Sequence, residues 1–167
     1  MRNRLFITLS SILAVVFVAT SASAQQSEVA DNEVFVGYSF LSVDRGFRRG
    51  EIHGFALNYT RHVNDWAGVE IDGSGHYEGG DAAHHIMAGP RFTFRNDSRV
   101  EPYVHALAGA AIANSNGNFA AAFGGGLDFK ATDKLKIRLV QVDYTPIFAS
   151  GEVVDNARIS TGVVFTF

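Results

Sequence analysis

The chain has 167 residues, of which 47% are hydrophobic and 19% charged, with 14 Lys and Arg against 17 Asp and Glu and no cysteine. That composition suits one folded domain and excludes a disordered chain, while the acidic balance argues against nucleic acid as a partner. Without cysteine the fold has no disulfide to lean on, so its stability has to come from backbone pairing and packing, or from a membrane.

Residues 1–24 read as a cleavable secretory signal. Arg2 and Arg4 precede an apolar run over 5–18, and a small-residue segment ends in an A-x-A pattern at Ala22 and Ala24. The apolar run falls short of the roughly 20 residues that a spanning helix needs. Losing Arg2 and Arg4 takes the basic count from 14 to 12 against 17 acidic residues, a formal charge of −5, which speaks against a polybasic lipid-binding surface. No later stretch is long and apolar enough for a helical span, so any crossing of a membrane has to be made by strands. Residues 25–32 form a short polar tail, and 33–167 form one β-domain.

The first strand is expected over 34–41, with Val34, Val36, Tyr38 and Phe40 on one face and Phe35, Gly37 and Ser39 on the other. A glycine- and charge-rich loop at 44–50 leads to the second strand, where Phe55, Leu57 and Tyr59 oppose Gly54, Ala56, Asn58 and Thr60. After a tight turn at 63–65, the third strand sets Ala67, Val69 and Ile71 against Gly68, Glu70, Asp72 and Ser74. A loop at 78–81 precedes the fourth, where Ile86, Ala88, Phe92 and Phe94 oppose His85, Met87, Gly89, Arg91 and Thr93. Pro90 lies within it and calls for a bulge or for a ladder position that does without the N–H.

The fifth strand, at about 102–112, is apolar or small on both faces. Its parity is open; His105 is placed inward because Val104, Ala106, Ala108 and Ala110 make a lipid-compatible row. The sixth has the clearest period of two, with Phe119, Ala121, Phe123, Leu127 and Phe129 against Asn118, Ala120, Gly124, Gly126 and Asp128. In the seventh, Leu135, Ile137 and Leu139 oppose Lys136 and Arg138, after which Val140, Val142 and Tyr144 oppose Gln141 and Asp143; a slip of one residue predicts a β-bulge near Leu139. Residues 146–156 read as the longest connection. The eighth strand carries Ile159, Thr161, Val163, Phe165 and Phe167 on one face.

Eight alternating segments of about 10 residues between turns predict an all-β, eight-stranded antiparallel up-and-down transmembrane barrel. The direction of the apolar row separates a barrel in lipid from a soluble ligand carrier. One face carries Phe, Val, Ile, Leu and Tyr; the other carries small residues with Glu70, Asp72, Arg91, Asp128, Arg138 and Arg158. An Arg or Lys turned to lipid at mid-membrane costs about 2–4 kcal/mol, so the charged row belongs in the lumen. Glu70 or Asp72 is expected to pair with Arg91, with Arg138 and Arg158 completing a network that fills an interior just wide enough for side chains.

The chain resembles the small eight-stranded outer-membrane barrels similar to the transmembrane domain of outer membrane protein A. The matching stretches are 36–40 (VGYSF), 89–92 (GPRF), 102–106 (PYVHA), 124–128 (GGGLD), 141–144 (QVDY) and the terminal strand. The resemblance implies residence in the Gram-negative cell outer membrane, with Ser160, Gly162, Phe165 and Phe167 as the carboxy-terminal signal read by the barrel assembly machinery. Outer membrane protein A also carries a peptidoglycan-binding domain, which nothing here matches, so cell-wall tethering is not carried over.

Signs of chemistry are sparse. His76, Glu78, Asp81, His84 and His85 flank a glycine turn but show no fixed ligand spacing, so no metal and no cofactor are assigned. Gly73, Gly75 and Gly79 do not make a G-x-G-x-x-G spacing. Ser74 and His76 both face inward by parity, away from any lipid substrate, and the chain is read as no enzyme. Tyr59, Tyr77, Tyr103 and Tyr144 suit an aromatic girdle at the membrane interfaces. Arg45, Arg48 and Arg49 make the first loop basic, either as a contact for lipopolysaccharide phosphates or as a solvated loop. The expected role is that of a monomeric structural barrel contributing to outer-membrane integrity or surface properties, with outer-membrane lipid and lipopolysaccharide as surroundings; adhesion or partner binding through the loops, or a narrow channel, are the alternatives.

Overall fold

Strands of alternating character dominate the computed structural model, which describes residues 32–44, 49–78, 81–113, 116–149 and 151–167. The expected signal peptide, nearly all of the polar tail, and Arg45 and Arg48 lie outside the described residues. The strands are β1 (Asn32–Asp44), β2 (Arg49–His62), β3 (Ala67–Glu78), β4 (Asp81–Thr93), β5 (Val100–Ala113), β6 (Asn116–Thr132), β7 (Leu135–Tyr144), the short β8 (Ile147–Ala149) and β9 (Glu152–Val154), and β10 (Asn156–Thr166).

From β1 to β7 each strand pairs antiparallel with the next, β7 pairs with β10, and β10 returns to β1 from Glu33 opposite Thr166 to Val43 opposite Asn156. The sheet is thus a closed eight-stranded barrel with no open edge, which is how a β-wall avoids leaving unpaired N–H and C=O groups in lipid. At the seam Asn32 N–H donates to Phe167 O and Phe167 N–H to Asn32 O, both at 3.0 Å.

The apolar row is outside. Val36, Leu57, Ile71, Ile86, Phe123, Val142 and Phe165 are each about half-exposed, while Glu70, Asp72, Arg91, Asp128, Arg138 and Arg158 are buried. A soluble barrel has the opposite arrangement, so this wall is built to face hydrocarbon. Strand β5 follows the expected parity: His105 and Leu107 point in, and Val104 points out. Tyr103 shares the inward side with His105 and is 2% exposed, so it is a lumen residue and no part of the girdle; Tyr59, Tyr77 and Tyr144 are on the outer surface.

The irregularities have local causes. On β7 the register against β6 passes from Leu127↔Val140 to Asp128↔Arg138, and against β10 from Ser160↔Gln141 to Gly162↔Arg138. Leu139 is therefore the extra residue of a bulge, and the inward row steps from Arg138 directly to Gln141. Pro90 makes no bulge. The β4–β5 register is the same on both sides of it, Ala88↔Ala108 and Arg91↔His105, and only the ladder positions at Gly89 and Pro90 are missing, as expected where an N–H is absent.

Residues 146–156, expected to be a loop, instead extend the β7–β10 hairpin. Ile147 pairs with Val154 in the same register as Tyr144 with Ala157, Thr145 N–H bridges to Asn156 O at 2.8 Å, and Phe148 packs on Phe119 of β6 with ring centres 5.5 Å apart. The hairpin turns at Gly151, whose φ of 87° suits glycine.

Close packing inside the wall explains one glycine pair. Gly37 and Gly162 sit opposite each other, and a Cβ at Gly37 would lie 2.4 Å from the Phe35 ring, one at Gly162 2.9 Å from it. The inward Phe35 ring lies across this bare stretch of backbone, which only glycine leaves open.

Candidate functional site in the lumen

The inward rows of β1 to β7 and β10 meet along the barrel axis. At the end of the barrel where Asn32 and Phe167 meet, Lys136 Nζ donates to Glu33 Oε1 at 2.8 Å and Glu101 Oε2 at 2.5 Å. Lys130 lies 3.0 Å and Arg95 3.7 Å from Glu101 Oε1. His62 Nε2 is 3.2 Å from Glu33 Oε1, without hydrogen-bond alignment.

One step further in, Arg91 donates from Nη1 to Glu70 Oε2 at 3.2 Å and from Nη2 to Asp128 Oδ2 at 3.0 Å, and reaches Glu33 Oε2 at 3.4 Å. Arg138 grips Asp128 with Nε at 2.8 Å and Nη2 at 3.1 Å, and gives Nη1 to Gln141 Oε1 at 2.6 Å. Tyr103 lies against both cations, with its ring centre 3.8 Å from the Arg91 guanidinium and 4.5 Å from that of Arg138, while its hydroxyl donates to Gln141 Oε1 at 2.8 Å. The π system of the ring thus solvates both cations, and Asp128 Oδ2, which accepts from both, offsets their mutual repulsion.

Arg158 holds Asp72 in a fork, Nη1 to Oδ1 at 2.7 Å and Nη2 to Oδ2 at 2.9 Å, and also donates to Asp143 Oδ2 from Nε and Nη2. His105 bridges the two halves of the network, with Nδ1 2.9 Å from Glu70 Oε1 and Nε2 2.8 Å from Asp143 Oδ1. Carboxylate oxygens only accept, so both ring nitrogens carry a proton and the side chain is an imidazolium. Asn58 Nδ2 donates to Glu70 and Asp72 at 2.9 and 2.8 Å.

All six residues picked out by parity lie in this lumen. Of the two partners considered for Arg91, Glu70 takes that place and Asp72 goes to Arg158. Glu33, Glu101, Asp143, Lys136, His105, Tyr103 and Gln141 complete the network and were not anticipated as members. Parity alone carries Asp143 and Lys136 inward; Glu33 and Glu101 precede the residues at which the first and fifth strands were expected to begin.

The expected carboxy-terminal signal divides between the two faces. Ser160 is buried and donates to Ser39 Oγ at 3.0 Å, Gly162 lies under Phe35, and Phe165 and Phe167 are exposed on the outside. The acidic and histidine cluster also divides: His76 and His85 turn in, whereas His84 is exposed beside Tyr77 with ring centres 5.5 Å apart, and the side chains of Glu78 and Asp81 lie outside the described residues. Among the described residues no three or more His, Asp or Glu are placed to share a metal ion. Ser74 accepts from Arg158 at 3.2 Å inside the lumen.

No family model and no curated protein matches the chain. Solved structures do. The chain is similar to Neisserial surface protein A at 15% identity and a TM-score of 0.73, over 83% of this chain and 99% of that one. It is similar to the outer membrane protein OprG from Pseudomonas aeruginosa at 13% identity and 0.61, over 83% and 96%. Likeness extends to Ail, the attachment invasion locus protein of Yersinia pestis, at 21% identity and 0.57, over 81% and 97%. The shared fold is the small eight-stranded barrel of outer-membrane proteins.

Proposed function

We propose that the chain is a structural barrel of the bacterial outer membrane, a monomeric wall element that contributes to membrane integrity and surface properties rather than to catalysis. The observation that carries this reading is a lumen filled, at the level of Arg91, Arg138 and Arg158, by buried side chains that pair with one another; each of the three arginines is at most 1% exposed. An interior of eight strands holds side chains and little else. The solved barrels with the same fold support outer-membrane residence, and the half-exposed apolar exterior supports lipid, including lipopolysaccharide, as its surroundings. Ser160, Gly162, Phe165 and Phe167 are proposed as the terminal feature through which the barrel assembly machinery recognises the chain.

The test is direct. The protein should be extracted from isolated outer membranes with detergent and should migrate differently on gels before and after boiling; appearance in an osmotic-shock fraction would overturn the assignment. Purified protein in a planar bilayer should stay silent. A steady single-channel current would favour a narrow channel instead.

A second reading, attachment through the loops, draws on Ail, which was solved in complex with a heparin analogue. Short connections count against it here: two residues separate β3 from β4 and two separate β5 from β6. Loss of cell adhesion after deletion of residues 45–49 would favour it.

A further inference from the structure

We propose that His76, His85 and Met87 form a site for a soft monovalent metal ion, Cu(I), inside the barrel between the charged network and the β3–β4 hairpin. His76 and His85 come from neighbouring strands, with Ser74 directly opposite His85 in the register, and both side chains face the lumen. His85 is 4% exposed, yet among the described residues neither of its ring nitrogens has a hydrogen-bond partner, and Nδ1 of the fully buried His76 has none either. Three unpartnered ring nitrogens in one buried place are costly unless something binds them.

The spacing fits a shared ion. The two ring centres are 5.9 Å apart with planes at 82°; two imidazoles that hold one ion at about 2.0 Å have ring centres roughly 5 to 6.5 Å apart. His76 also has the support typical of a ligand. With Nε2–H donating to Ser39 Oγ at 2.9 Å, itself fixed by Ser160, its Nδ1 lone pair is left for the ion. Met87 follows His85 by two residues on the same inward row and is buried in a cluster with Leu107, Ala111, Ala120 and Ala122, of which Ala111 stands opposite His85.

The donor set and its neighbours select the ion. Two imidazoles and a thioether are neutral, soft ligands of the kind that favour Cu(I). Arg158, held by Asp72 and Asp143, donates to Ser74 beside the pair, and among the described residues no carboxylate joins the two histidines to make a group of three. A positive neighbour disfavours a divalent ion more than a monovalent one.

Apart from Met1, Met87 is the sole methionine of the chain, which makes the test specific. The folded barrel in detergent, labelled at the methionine methyl group, would be titrated with silver nitrate as a redox-inert stand-in and with Cu(I) kept reduced by ascorbate. One equivalent should shift the Met87 methyl resonance. His85→Leu and Met87→Leu should each weaken the ion at least about tenfold, and Ser39→Ala about 10- to 100-fold through His76. Folding of each variant is checked by the mobility of the unboiled protein. An unmoved Met87 resonance, affinity unchanged in folded His85→Leu, or tighter binding of Zn(II) than of Ag(I) would each overturn the proposal.

Discussion

Arg91 is the residue on which the lumen turns, since three carboxylates and the Tyr103 ring converge on its guanidinium. Replacing it with leucine strands Glu33, Glu70 and Asp128 without that partner, and the loss should be about 3–5 kcal/mol, read as a lower unfolding midpoint in urea with the barrel in detergent micelles. Tyr103 separates packing from hydrogen bonding. Tyr103→Phe gives up one bond to Gln141, about 1 kcal/mol, because Arg138 still serves that oxygen; Tyr103→Ala also removes the ring that packs on both arginines and should cost about 3–5 kcal/mol in the same measurement. Arg91, Arg138 and Arg158 were legible in the sequence because a charge in a strand of period two has only one tolerable side. Tyr103 was misplaced: tyrosine suits both a membrane interface and a buried polar lumen, and the parity that turns His105 inward, two residues on, turns Tyr103 inward with it.

At the scale of the element, the bulge at Leu139 lets one strand serve two phases. Lys136 and Arg138 face inward before it, and Gln141 and Asp143 face inward after it. Deleting Leu139 would force either the first pair or the second to the outside. A Lys or Arg moved to lipid at mid-membrane costs about 2–4 kcal/mol, so the deletion should sharply reduce the fraction of chain that runs as a folded band on unboiled gels. This bulge was readable from the phase slip alone. The hairpin of β8 and β9 was not, because Pro146 interrupts the strand pattern and each remaining segment is three residues long; its register is inherited from β7 and β10 and is visible only once those are paired.

For the molecule as a whole, closure is the property to which every strand contributes, and eight alternating segments were enough to foresee it. What no single strand reveals is which carboxylate meets which cation across the lumen, since Arg158 and Asp72 are 86 residues apart in sequence. The terminal strand carries both wall and lumen faces, with Phe165 outside and Arg158 inside. Removing Phe167 takes away its two backbone bonds to Asn32, at the last step of the seam, but no member of the charged network. Deletion of Phe167 should therefore lower the amount of barrel inserted in cells, measured in outer-membrane fractions, while purified chain refolded into detergent still shows the mobility shift.

The meeting of Asn32 and Phe167 also makes the described wall, from Asn32 onward, a ring in all but one link. A few flexible residues joining Phe167 to Asn32 in place of the residues before Asn32, with new ends cut between Gly79 and Gly80, would give a circular permutant whose wall and lumen keep the strand neighbours they have now. In that molecule Phe167 is an internal residue. Refolding in detergent together with failure to insert in cells would then assign the importance of the aromatic end to its being an end, and not to its place in the wall.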